Sequence, residues 1–172
     1  LGLDSDYMIR FNDPFSNLSN ASLNKAAVVN TQIAIMKSII SELGSGSESD
    51  VESTIATQII TRTGDETSLG DTTWTKNAIT AISSSSDDFS PSSEQLVSLS
   101  AGISAFMQKI NANDSSKSHS HFAKAGMTEL KDLMKKVMEG TADSAEIDKL
   151  TFNTIAWINE NTSWAVSYTH LR

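Results

Sequence analysis

The chain has 172 residues, no cysteine, and 21 acidic against 13 basic side chains, for a net charge of -8 and a pI near 4.7. That length suits one domain with a real core. The charge excludes a phosphate-neutralising basic stripe, and so argues against nucleic acid and against an anionic membrane surface. The missing cysteines exclude a disulfide framework and a thiolate metal site. No apolar run approaches the roughly 18 residues a membrane helix needs. The greasiest segment, Ile33 to Ile40, is interrupted by Lys37 and Ser38.

Leu1-Gly2-Leu3 reads as the end of a helix rather than the beginning of a protein, so the chain is expected to be an N-terminally truncated fragment. An irregular piece, 4–20, leads into a first helix from about Ser22 to Leu43, capped by Asn20 or Ser22. Ala26, Val29, Ile33, Met36, Ile40 and Leu43 recur at spacings of three and four, one face of an α-helix. Gly44-Ser45-Gly46 ends it, because glycine accepts the left-handed conformation of a C-cap.

A second helix is expected from Ser49, where Ser49 and Glu52 have capping-box spacing. Val51, Ile55 and Ile59, with Ile60 beside them, form its stripe, and Thr63-Gly64-Asp65 stops it. A third starts near Asp71 and carries Trp74, Ala78, Ile79 and Ile82. A polar loop follows, Ser83 to Ser86 with Asp87 and Asp88. The fourth helix is expected to use Ser90 as cap and Pro91 as its first residue, where a missing N–H costs nothing. Leu96, Leu99, Ile103, Phe106, Met107 and Ile110 make its stripe, and the polar run from Asn111 to Asp114 breaks it. Leu99, Ile103 and Phe106 are the expected core centre.

The fifth helix, about Ser118 to Glu139, shows Phe122, Met127, Leu130, Leu133, Met134 and Val137, and Gly140 closes it. Asp143 and Glu146 suggest a capping box opening a sixth, faced by Ile147, Leu150, Ile155 and Ile158. The expected fold is therefore all-α: a bundle of about six amphipathic helices with short polar loops, forming one domain over 1–164. The tail 165–172 leaves this periodicity. Its VSYTHLR string resembles a translated sequencing adapter and is set aside as non-native.

No residue cluster amounts to an active site, and the reading is non-enzymatic, with no catalytic residue and no cofactor. There is no Gly-x-Ser-x-Gly elbow, phosphate loop or His-Glu-x-x-His motif. His119 and His121 could share a face only on a strand. On a helix a spacing of two sets them about 200° apart, which suits a polar helix start better than a metal site. Asp4, Asp6 and Asp13, with Asn12, offer hard oxygen ligands that calcium could use. They lack the EF-hand glycine and terminal glutamate, and a solvated loop is the plainer reading. Asp87 and Asp88 read as solvated loop charge. Glu129, Asp132 and Lys136 read as a surface charge lattice. Trp74, Trp157 and Trp164 suit a core or seam better than a sugar platform. The Asn-x-Ser/Thr triplets at Asn17, Asn20, Asn113 and Asn161 are glycosylation acceptors in a secreted eukaryotic chain and chance matches in a Ser-rich bacterial one.

The order of Leu1-Gly2-Leu3, Asp13-Pro14, Asn30-Thr31-Gln32, SLSAGISAFMQKINAN and GMTELKDLMKKVMEG resembles a helical module of very large secreted bacterial surface proteins. These are adhesin-like chains that carry calcium-binding or cadherin-like repeats elsewhere. The resemblance covers most of 1–162 in soft positions, and the chain is richer in Ser and Thr and poorer in Ala than the module. It implies a structural, spacer or adhesion-supporting role at the cell surface or outside the cell. The partners would be neighbouring domains of the same large chain, or a protein or surface ligand. A second expectation is a helical secretion-apparatus component or effector that pairs helices through an exposed apolar stripe, placed on the first helix. A third is a bundle that binds a small molecule or ion.

Overall fold

The computed structural model describes residues 21–43, 48–60, 69–84, 89–112 and 119–161. Among them every regular element is a helix, and the helices pack on one another as an all-α bundle. They are α1 (Ala21–Glu42), α2 (Glu48–Ile60), α3 (Thr72–Ser83), α4 (Ser93–Asn111), α5 (His119–Ala125), a π-helical turn (Gly126–Leu130), α6 (Lys131–Glu139), α7 (Ser144–Phe152) and α8 (Thr154–Asn161). Several features named above lie outside the described residues: Leu1-Gly2-Leu3, Asp13-Pro14, Asn20, Gly44-Ser45-Gly46, Thr63-Gly64-Asp65, Asp87-Asp88, Asp114 and the tail 165–172.

Two helices organise the packing. α4 touches α1, α3, α6, α7 and α8, while α1 touches α2, α4, α5, the π turn and α6. α4 can sit in the middle because small residues, Ser100, Gly102 and Ser104, alternate with Leu99, Ile103, Phe106 and Met107, and all of these are buried. Leu99, Ile103 and Phe106 are fully enclosed, as their stripe led one to expect. The Phe106 ring meets Phe122 edge-on at 6.1 Å and Trp157 edge-on at 6.4 Å, a favoured geometry for aromatic quadrupoles.

α1 buries more than one stripe. Besides Val29, Met36, Ile40 and Leu43, it encloses Ala27, Val28, Thr31, Gln32, Ile35 and Ile39. A helix covered by neighbours on several sides needs apolar residues on several sides. Of the stripe expected to bind a partner, Val29, Met36, Ile40 and Leu43 are therefore core and Ile33 is half-buried.

The helix starts differ in detail. α3 starts near Asp71 as expected, and Asp71 caps it, its carboxylate accepting from the Trp74 N–H at 2.6 Å. Ser49 lies inside α2 rather than before it, and Glu52 pairs with Lys37 of α1. α4 is capped by Ser92 rather than Ser90, so Pro91 precedes the helix instead of opening it. Ser92 has a glutamine three residues on. The Gln95 N–H donates to Ser92 Oγ at 3.2 Å, and the Ser92 N–H donates to Gln95 Oε1 at 2.7 Å, a complete capping box. Ser90 stands five residues before that glutamine, out of reach of a box with it. α7 is capped by Asp143, whose carboxylate accepts from the Ala145 N–H at 2.9 Å. The Glu146 N–H bonds the Asp143 main-chain carbonyl, so the expected reciprocal box is not what holds this start.

The fifth helix is continuous but carries the π turn at Gly126–Leu130. An α-helix would rotate Leu130 about 80° away from Phe122 over their eight residues, and the extra residue of a π turn removes that drift. Phe122, Ala125, Leu130, Leu133, Met134 and Val137 consequently share the buried side. Met127, expected in that stripe, is carried outward and is 40% exposed. Gly140 closes the helix at φ +69°, and the Thr141 N–H reaches back to the Lys136 carbonyl at 2.9 Å, the Schellman pattern.

The sixth helix is two. Asn153, at φ -143° and ψ 58°, separates α7 from α8. Thr151 and Thr154 each return their hydroxyl to the carbonyl four residues back, at 2.8 Å, a competing bond that bends helices. Leu150 and Ile158 are buried on either side of the break, and Ile147 and Ile155 are half-buried.

Candidate functional site

Three polar ties hold neighbouring helices in register. Gln32, in the middle of α1 and 1% exposed, donates from Nε2 to the Met107 carbonyl of α4 at 2.9 Å. The Asn30-Thr31-Gln32 segment therefore faces two ways, with Asn30 exposed and Thr31 and Gln32 buried. At the start of α3, the Gly70 carbonyl accepts from Ser104 Oγ and from Gln108 Nε2 at 2.8 Å, while Thr72 Oγ1 lies 2.8 Å from Ser104 Oγ. The third tie is Gln95. Beyond its capping box, its Nε2 donates to the carbonyls of Met138 at 2.8 Å and Val137 at 3.3 Å. Those are last-turn carbonyls of α6, and the Val137 carbonyl also accepts the Gly140 N–H at 3.2 Å.

Charged ties lie outside these. Glu42 of α1 receives Lys135 Nζ at 3.1 Å and Lys131 Nζ at 3.4 Å. The hydrogen bond from Lys135, then that from Lys131, holds the Glu42 carboxyl below the usual carboxylate range. The same bond to Glu42 holds the Lys135 ammonium above its usual value. Lys37 pairs with Glu52, and Lys149 with Glu160. The ion pairs of Lys131 and Lys135 on α6 thus run to α1, while Asp132 and Lys136, expected in a surface charge lattice with Glu129, are exposed and Glu129 is half-buried.

Among the described residues, one large aromatic side chain stands in the open. Phe152, at the end of α7, is 84% exposed. It borders a shallow groove of about 340 Å³ between the end of α4 (Ala105, Gln108, Lys109, Ala112) and the α7–α8 joint (Thr151 to Ile155). Sequence reading passed it over, although a signal was present. Phe152 lies two residues from Leu150, on the far side of the buried stripe. Val97, 57% exposed on α4, is off-stripe in the same way.

Asp4, Asp6 and Asp13, the calcium candidates, lie outside the described residues, as do Asn12, Asn17, Asn113 and Trp164. His119 and His121 lie on helix α5, not on a strand, and the His121 ring packs edge-on against Phe122 at 6.4 Å. Among the described residues, no group of three His, Asp or Glu side chains is placed to hold a metal ion. Trp74 and Trp157 are both core residues. Trp74 Nε1 donates to the Gln58 carbonyl of α2 at 3.1 Å, and Trp157 is enclosed beside Phe106. Asn161 is half-buried and returns its amide to the Trp157 carbonyl at 2.9 Å. No helix among the described residues is long and apolar enough to cross a membrane.

Comparison of the chain with protein-family models, with curated proteins and with solved structures finds no match.

Proposed function

We propose that the chain is a non-enzymatic helical module of a large secreted or cell-surface bacterial protein. There it holds a fixed shape between neighbouring domains of the same chain or supports adhesion. The observation that carries this reading is where four amide and hydroxyl side chains between the helices spend their bonds. Gln32, Gln95, Ser104 and Gln108 each donate across a helix boundary, joining α1 to α4, α4 to α6, and α4 to the start of α3. Apolar contacts alone permit neighbouring helices to slide, whereas buried directional bonds select one register. A spacer that must keep its ends in a set relation needs that property. The acidic, cysteine-free composition and the resemblance of the Leu1-Gly2-Leu3, Asn30-Thr31-Gln32 and Gly126–Gly140 stretches to the surface-protein module support the extracellular setting.

The test is the parent gene. Long-read sequencing across the locus is expected to find repeat-like domains flanking this segment in one reading frame. A parent that encodes only a small cytosolic protein overturns the proposal.

Phe152 favours a second reading, a helical secretion-apparatus component or effector that pairs with a protein partner. Its exposed ring beside a groove is the kind of anchor such pairing uses. Sedimentation at high concentration separates this reading from the first. Association that Phe152→Ser abolishes supports it, and strictly monomeric behaviour counts against it.

A further inference from the structure

We draw no further inference here: the strongest candidate, the groove beside Phe152 between the end of α4 and the α7–α8 joint, belongs to the surface already described, and nothing in the structure shows what covers it.

Discussion

Gln95 Nε2 donates to the Met138 carbonyl at 2.8 Å while Gln95 Oε1 accepts from the Ser92 N–H at 2.7 Å. One side chain therefore closes the start of α4 and the end of α6 together. Both ends present backbone groups that no helix can satisfy internally. Gln95→Ala is expected to destabilise the protein by about 1–3 kcal/mol, a cap and a part-buried hydrogen bond lost at once. Gln95→Glu keeps the acceptor but sets a carboxylate against two carbonyls, and should cost at least as much at neutral pH. Ser92→Ala should cost roughly 1 kcal/mol and Ser90→Ala under about 0.5 kcal/mol, since Ser92 is the cap. Urea unfolding of the four variants checks the assignment. An equal loss at Ser90 would return the cap to it.

Gly126, at the start of the π turn, packs closely against Ile35 of α1. A Cβ built there would lie 2.6 Å from Ile35 Cδ1 and 2.7 Å from Ile35 Cγ1. Gly126→Ala is expected to cost about 1–3 kcal/mol by overpacking. Ile35→Ala removes the obstructing atoms, so the double variant should be less damaged than the sum of the two single variants. Strict additivity in a double-mutant cycle would show that the two residues do not meet.

The core centre and the exposed aromatic are expected to respond in opposite ways. Ile103 is fully enclosed, and Ile103→Ala should cost about 2–5 kcal/mol. Phe152→Ser should stay within about 0.5 kcal/mol, because the ring is already in solvent. Thermal and urea unfolding compare the two directly, and a reversed ranking would displace Ile103 from the core.

The Glu42 pair sets a pH dependence with a defined sign. The Glu42 pKa is depressed by its bonds to Lys135 and Lys131. Its contribution is therefore present above the unfolded carboxylate pKa and is lost as pH falls through the folded one. Lys135 is raised, so its half is present below the unfolded lysine pKa and is lost as pH rises through the folded value. The pair is solvent-exposed and its effect small. Glu42→Gln is expected to flatten the acid limb of the stability curve slightly and to reduce its sensitivity to salt. An acid limb identical in wild type and variant would show that Glu42 carries none of it.

The local chemistry of the chain determined that it is helical and where most turns of helix look inward. The three-and-four spacing of Leu99, Ile103 and Phe106 needs no neighbour to be legible, nor does a helix start near Asp71, nor Gly140 at the left-handed stop. These are properties of one helix and its ends. Only the tertiary structure decided the rest. α1 buries more than one stripe because α2, α4, α5, the π turn and α6 all pack against it. Met127 turned outward because the π turn brings Phe122 and Leu130 into one phase. The cap moved to Ser92, whose partner Gln95 also serves α6. Asn153 split one expected helix in two. The candidate sites divide along the same line. The helical spacing of His119 and His121 made a shared metal face improbable from the sequence alone. The exposure of Phe152 beside α4 depends on which helices meet at the α7–α8 joint. A periodic pattern records which side of a helix prefers burial, but how many neighbours arrive, and from where, is set by packing between segments far apart in the chain.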